Sequence, residues 1–274
     1  MIKDLRTRLG LGSILVAMLV GLFILDRDVA PGIGMVVLGL LALTAQAEFY
    51  AMLQASGRAN HRNLGLLFGA LTLANAWWHF LPLGYLLVGL LVALLVLEVI
   101  GRRPEGAPDR IGTTLLGWLV VPLLLSSLMA LRQAEPDGWD WILFLVVVCK
   151  AGDSAAYLVG SAIGKRKLIP EVSPNKSWEG AWASMAGSLL GAAIVADTAF
   201  GGRLDLEVWL GAAVVTNIGA QFGDLTESLL KRGCETKDSS TVLPAFGGSF
   251  DMVDSFLIAT PALHGFLLAV GYSS

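Results

Sequence analysis

Asp251 and Asp254 stand three residues apart in "LPAFGGSFDMVDS", where an apolar stretch begins, and Gly247 and Gly248 precede them. Asp224 and Glu227 repeat that spacing in "GAQFGDLTESLLKR", followed at once by Lys231 and Arg232. A further acid, Asp153, shares its stretch with Lys150, Ser154, Tyr157 and Ser161 at spacings of three and four, as Asn217, Gln221, Asp224 and Ser228 do in theirs. Residues so spaced lie on one face of a helix. Ionisable groups in a membrane-crossing helix cost a few kcal/mol each, so such faces turn toward a bundle interior or a watery cavity. The connection "GKRKLIPEVSPNKSWEG" adds Lys165, Lys167 and Lys176 with the hydroxyls of Ser173 and Ser177, and then Glu179. Pro174 disfavours helix there, and Ser177 is placed to cap the helix that follows. Basic side chains and helix N-termini suit phosphates, and glycines let backbone approach a ligand closely. Carboxylates repel phosphates unless a hard cation such as Mg2+ lies between them. The combination points to metal-assisted chemistry at phosphorus. The plainer alternative is helix locking by pairs such as Lys150 with Asp153, and a basic loop that marks one membrane face or binds anionic headgroups.

The elements that must position these groups are membrane helices. The chain has 274 residues, 55% hydrophobic and 15% charged, where soluble domains average about 25% charged. Its mean hydropathy is +0.70. Apolar runs near the roughly 20 residues needed to cross a bilayer core place spans at 9–25, 31–53, 64–80, 83–100, 113–131, 140–162, 180–199, 208–230 and 249–270. The basic, then apolar, start of the chain reads as a retained first helix. With the N-terminus inside, the inner segments hold Lys3, Arg6, Arg8, Arg58, Arg62, Arg102, Arg103, Arg110, the 165–176 cluster, Lys231, Arg232 and Lys237. The outer segments hold Arg27, Arg132 and Arg203. This alternation predicts an all-α polytopic membrane protein of about nine transmembrane helices, N-in and C-out. The polar faces then open a cavity to the cytoplasm. Cys149 and Cys234 have no ligand spacing and indicate neither a disulfide framework nor a zinc site. Glu48 and Glu98 are the only acids well inside the first five spans. Residues 1–112 therefore read as a transmembrane scaffold, 113–138 as a fifth span with a surface suited to a second copy, and 139–274 as the catalytic region with its cytoplasmic loops.

The second half resembles the phosphatidate cytidylyltransferases, or CDP-diacylglycerol synthases. In "SLLKRGCETKDSSTVLPAFGGSFDMVDS", Ser228, Lys231, Arg232, Lys237, Asp238, Pro244, Gly247, Gly248, Asp251 and Asp254 fall in register with that family's C-terminal signature. "GDSAAYLVGSAIGKRKLIPEVSPNKSWEG" and "GDLTESLLKR" match two further blocks, so the likeness covers about residues 148–260. Phe246 stands where the family has histidine and Met252 where it has arginine, and Ser249 replaces an apolar residue.

The resemblance implies transfer of the cytidylyl group of CTP to phosphatidic acid, giving CDP-diacylglycerol and pyrophosphate, at an inner-membrane site facing the cytoplasm. It implies Asp224 and Asp251 as Mg2+ ligands, with Asp254 and Glu227 next and room for a second, monovalent cation. Lys231 and Arg232 join the carboxylates as catalytic groups. Ser173, Lys176, Ser177, Lys165, Lys167, Lys237, Asp238, Gly247 and Gly248 bind substrate, and Asp153 and Glu179 complete the acidic shell. The implied partners are CTP, phosphatidic acid, the bilayer and a second copy in a homodimer, with no nucleic acid. Phe246 and Met252 leave open a divergent member that has lost catalysis, or takes another lipid phosphate, and acts as a lipid- or nucleotide-binding membrane protein. An ion-coupled transporter is disfavoured, because the charged groups gather toward one face.

Overall fold

The computed structural model describes residues 21, 26, 32–134, 137–236 and 248–272. Its helices are α1 (Ile33–Ala55), α2 (Arg62–Trp78), α3 (Leu83–Gly101), α4 (Ala107–Trp118), α5 (Ser127–Gln133), α6 (Gly138–Ile163), α7 (Trp178–Thr198), α8 (Leu206–Gly233) and α9 (Ser249–Ala269). Long apolar runs adopt helix because hydrocarbon offers no partner to a free backbone N–H or C=O. Among the described residues, six stretches are long and apolar enough to cross a membrane: α1, α3, the run Ala107–Gln133, α6, α7 and α9. Expected spans two to four and six to nine each meet a helix of closely similar bounds, and the fifth, 113–131, falls within the run Ala107–Gln133, which holds α4 and α5. The first, 9–25, falls outside the described residues apart from Gly21.

Two local features explain the less regular first half. Between α2 and α3 the chain turns at His79 in the left-handed region (φ 51°), its N–H donating to Asn75 O at 2.8 Å. Asn75 Oδ1 in turn accepts the Leu81 N–H at 2.8 Å. Within Ala107–Gln133, Pro122 sits in a π-helical turn, Leu119–Leu123. Proline has no N–H to give and crowds the preceding turn, so the helix widens locally instead of breaking. α3 leaves Val88, Val92, Leu95, Val96, Val99 and Ile100 exposed, a surface suited to lipid.

The second half packs through glycine. A β-carbon on Gly187 of α7 would lie 2.6 Å from Ala155 Cβ and 2.7 Å from Ala151 O of α6. On α8, Gly219 faces the backbone of Ala259 and Gly223 the carbonyls of Asp254 and Ser255, again leaving no room for a side chain. Small residues four apart let membrane helices approach backbone to backbone. Here they bring Asp224 on α8 against the turn of α9 that carries Asp254.

The bundle agrees with the all-α expectation, and one short element lies outside its helices. Lys167–Ile169 (β1) and Ser173–Ser177 (β2) form an antiparallel hairpin, pairing Lys167 with Ser177 and Ile169 with Ser173. Pro170 and Pro174 flank its turn and forbid helix there.

At the opposite end of the bundle, Asp26 is fully buried. Its carboxylate accepts the N–H groups of Gly32 and Gly34 at 2.8 and 2.9 Å, the Trp139 indole at 2.7 Å and the Arg132 guanidinium at 3.0 Å. Burial pushes the Asp26 pKa up, but the bonds from Gly34, Trp139 and Arg132 outweigh it, and the net shift is below the ordinary 3.8. A folded pKa depressed in this way adds stability that is full above 3.8 and vanishes as pH falls through the folded value. Asp26→Asn strands Arg132 without its counter-ion, and should lower stability by about 3 kcal/mol. Thermal melts in detergent at neutral pH check this, and the gap between variant and parent should close in acid.

Candidate active site

Asp224, Glu227 and Asp254 bring one carboxylate oxygen each to within 4.8 Å of one another. α8 supplies the first two, one turn apart, and α9 supplies the third across the glycine contact at Gly223. Glu227 is 2% exposed. Three acids gathered so closely repel each other unless cations stand among them. Lysines from two directions meet that need in part. Lys176 at the end of the hairpin reaches Asp224 Oδ2 at 2.7 Å. Lys231, one turn past Glu227, bridges Glu227 and Asp251, the latter at 3.1 Å. An all-oxygen donor set of this kind fits a hard divalent cation such as Mg2+.

Asp251, expected from the resemblance as a metal ligand beside Asp224, stands at the edge of the trio, its carboxylate in hydrogen-bond contact with Glu227. It sits at the third position of α9, pairs with Lys231, and accepts the Gly248 N–H at 2.9 Å. Phe250 N–H donates to Glu48 Oε2 of α1 at 2.9 Å. The start of α9, expected as an anion site for substrate phosphate, thus has two of its free N–H groups taken by the protein's own carboxylates. Gly248 is the residue before the helix, in extended backbone at φ −105°.

Beside the trio opens a cavity of about 610 Å3, walled by α6, the hairpin, α7 and α8. Asp153, Tyr157, Ser161, Lys167, Lys176, Ser177, Gln221 and Asp224 line it. Ser177 caps α7 by accepting the Gly180 N–H at 3.2 Å, as its position in the sequence suggested. A buried polar network forms the floor. Asn217 Nδ2 donates to Ser184 and Ser188 Oγ, both at 2.8 Å, Gln221 Nε2 donates to Asn217 Oδ1 at 2.7 Å, and Ser188 Oγ donates to Val148 O at 2.8 Å. These bonds fix α6, α7 and α8 in one register, with every bridging amide satisfied.

The other expected residues scatter around this centre. Asp153 pairs with Lys150 at 3.2 Å on the cavity wall. Glu179, in the first turn of α7, accepts the Arg166 N–H at 3.2 Å and so staples the hairpin's entry. Lys167 lies on β1 at the cavity rim, and Ser173 is half-buried on β2. Lys165 and Arg232 are exposed, away from the trio's direct contacts. Lys237, Asp238, Gly247 and the divergent Phe246 lie outside the described residues. Glu48 was visible as an acid in an apolar span, which is itself a signal of function, but its partner 202 residues away was not.

Sequence comparison agrees with this geometry. The phosphatidate cytidylyltransferase of Bacillus subtilis is 37% identical over 166 residues, 59% of this chain and 60% of that protein. That of Brucella suis is 37% identical over 190 residues, 68% of this chain and 65% of the relative. That of Pseudomonas aeruginosa is 36% identical over 160 residues, 58% of each. In each case the chain spans less than two thirds of the relative's length. The match to the cytidylyltransferase family model is longer, running over residues 6–270 and so through the apolar first half as well. A bundle that gathers three carboxylates and two lysines beside a cavity, in a chain matched almost end to end, belongs to the cytidylyltransferase family.

Proposed function

We propose that the protein transfers the cytidylyl group of CTP to phosphatidic acid, forming CDP-diacylglycerol and releasing pyrophosphate in phospholipid synthesis. The observation that carries this reading is the acidic trio with Lys176 and Lys231, beside a cavity that Asp224 and Lys176 line. The names of the relatives support it. A lipid phosphate oxygen attacks the α-phosphorus of CTP, a new P–O bond forms, and the bond to the bridging oxygen of pyrophosphate breaks. A phosphate monoester is largely dianionic near neutral pH, its second pKa being about 6, so the nucleophile needs no strong base.

Charge neutralisation is then the main demand on the protein. Asp224, Glu227 and Asp254 would hold Mg2+, which when bound neutralises the triphosphate and polarises the phosphorus. Lys176 is close enough to Asp224 to contact carboxylate and phosphate together, and Lys167 flanks it on the hairpin. The Asn217–Gln221 network holds the cavity floor rigid, which keeps the reacting groups in line. Lys165 and Arg232 would supply a positive approach for an anionic nucleotide, and Lys237 and Asp238 are assigned to substrate binding by the resemblance alone.

The chain would sit in the cell membrane with nine spans, N-in and C-out, its cavity facing cytoplasmic CTP. Residues 139–274 would be the catalytic region and 1–112 its scaffold, with the fifth span offered to a second copy in a homodimer. A monovalent cation could share the acidic cluster. The test is direct. Purified protein with CTP, phosphatidic acid and Mg2+ should form CDP-diacylglycerol and pyrophosphate in equal amounts, and chelation should stop it. Binding of CTP with no product from any lipid phosphate would mark a binding-only member instead.

A further inference from the structure

The site's two acidic helices are fastened by a helix that contributes nothing to the acidic trio. Glu48 on α1 accepts the N–H of Phe250, the second residue of α9, where backbone N–H groups lack partners within the helix. The neighbouring Phe49 packs its buried ring 5.1 Å from that of Phe250. At the other side of the α8–α9 connection, Arg58, just beyond α1, donates to Gly233 O at 2.8 Å. Gly233 ends α8, whose last carbonyls also lack helical partners and favour a cation. One element therefore grips the finish of α8 and the start of α9.

This matters because α8 and α9 meet through Gly219 and Gly223. At those two glycines no side chain projects to resist sliding, and the first turn of α9 is held by Lys231 on α8 and by Glu48 on α1. Asp254 stands four residues, one helical turn, beyond Phe250, and a small axial shift of α9 would carry it away from Asp224 and Glu227. We propose that Glu48 is a positioning residue that sets the height of Asp254 against Asp224 and Glu227 by holding the first turn of α9 to α1. The proposal rests on the trio being the cation-holding part of the function proposed above.

Glu48→Ala and Glu48→Gln in the purified full-length protein, reconstituted in nanodiscs, test it by two readouts that need no turnover. Amide hydrogen exchange over residues 248–256 reports the grip, and Mn2+ binding by electron paramagnetic resonance reports the geometry of the trio. Loss of a hydrogen bond to a charged acceptor should speed exchange in the first turn of α9 and weaken Mn2+ binding by about tenfold each in Glu48→Ala. Glu48→Gln, whose carbonyl oxygen still accepts the N–H, should stay within about twofold of the parent. In turnover, kcat should fall in Glu48→Ala while KM for CTP holds.

Unchanged exchange and Mn2+ affinity in Glu48→Ala would overturn the proposal. So would a Glu48→Gln as impaired as Glu48→Ala, since charge and not position would then be the cause. If Glu48→Ala does not fold, Glu48→Asp decides alone: retracting the carboxylate by one methylene should shift both readouts the same way, and parent-like values overturn the idea. A parent protein that binds no Mn2+ removes the trio's role and the proposal with it. A parent that binds Mn2+ but forms no product overturns only the transfer reaction.

Discussion

Asp254→Asn and Asp224→Asn should each reduce CDP-diacylglycerol formation by about a hundredfold or more, and neither should cost the metal-free protein more than about 1 kcal/mol, the most that a part-exposed pair such as Lys176–Asp224 contributes. The two statements belong together. With no cation bound, Asp224, Glu227 and Asp254 crowd their oxygens within 4.8 Å, and converting one acid to a neutral amide of the same shape relieves repulsion. Melting temperature without Mg2+ should therefore stay close to the parent's. Added Mg2+ stabilises the parent in proportion to its affinity for the folded state, and that increment should disappear in both variants. Asp251→Asn should behave in the opposite way. It forfeits the ion pair with Lys231 and lowers stability, yet keeps a Mg2+-induced rise. Melts of the parent and three variants with and without Mg2+ separate these patterns. Loss of the Mg2+ response in Asp251→Asn with retention in Asp254→Asn would restore Asp224 and Asp251 as the ligand pair.

That contrast shows how far the sequence could be read. The helices were legible because lipid leaves a backbone little choice: apolar runs of the right length become helices, and α1 to α9 follow them closely. Ser177 was legible because capping is local, decided within three residues. The four acids of α8 and α9 were legible as a cluster, but not their division of labour. Helical spacing puts Asp251 and Asp254 on one face, and only the contact at Gly223 brings Asp254 against Asp224 while Asp251 meets Lys231 and Glu227. The hairpin at Lys167–Ser177 is not legible as strand, although Pro174 argues against helix there, because a strand of three residues leaves no periodicity to detect. Glu48 was noticed as an oddity and left without a role, since a hydrogen bond to Phe250 depends on the whole tertiary arrangement.

Lys231→Met should be the most destabilising single change in the site. The ammonium touches Glu227 and Asp251, whose side chains are 3% and 12% exposed, and is itself only 15% exposed. Methionine fills much the same volume but leaves two carboxylates facing each other with little water to separate them. Removing one partner from a buried ionic group costs about 3–5 kcal/mol, enough to lower yield from membranes and the melting temperature by about 10 °C. If the loss comes from that stranded charge, Glu227→Gln in the same chain should recover most of it, although Glu227→Gln alone gains little. The double-mutant cycle then gives a large coupling energy of favourable sign for the native pair. Turnover separates the two roles that Lys231 can have. As a counter-ion alone, Lys231 would be dispensable once Glu227 is neutral, and activity would follow stability. As a group that also meets the substrate's phosphates, it leaves the double variant folded but slower than Glu227→Gln alone. The second outcome is expected, because the ammonium stands at the junction of α8 and α9, beside the trio where the charge of the reacting triphosphate must be met.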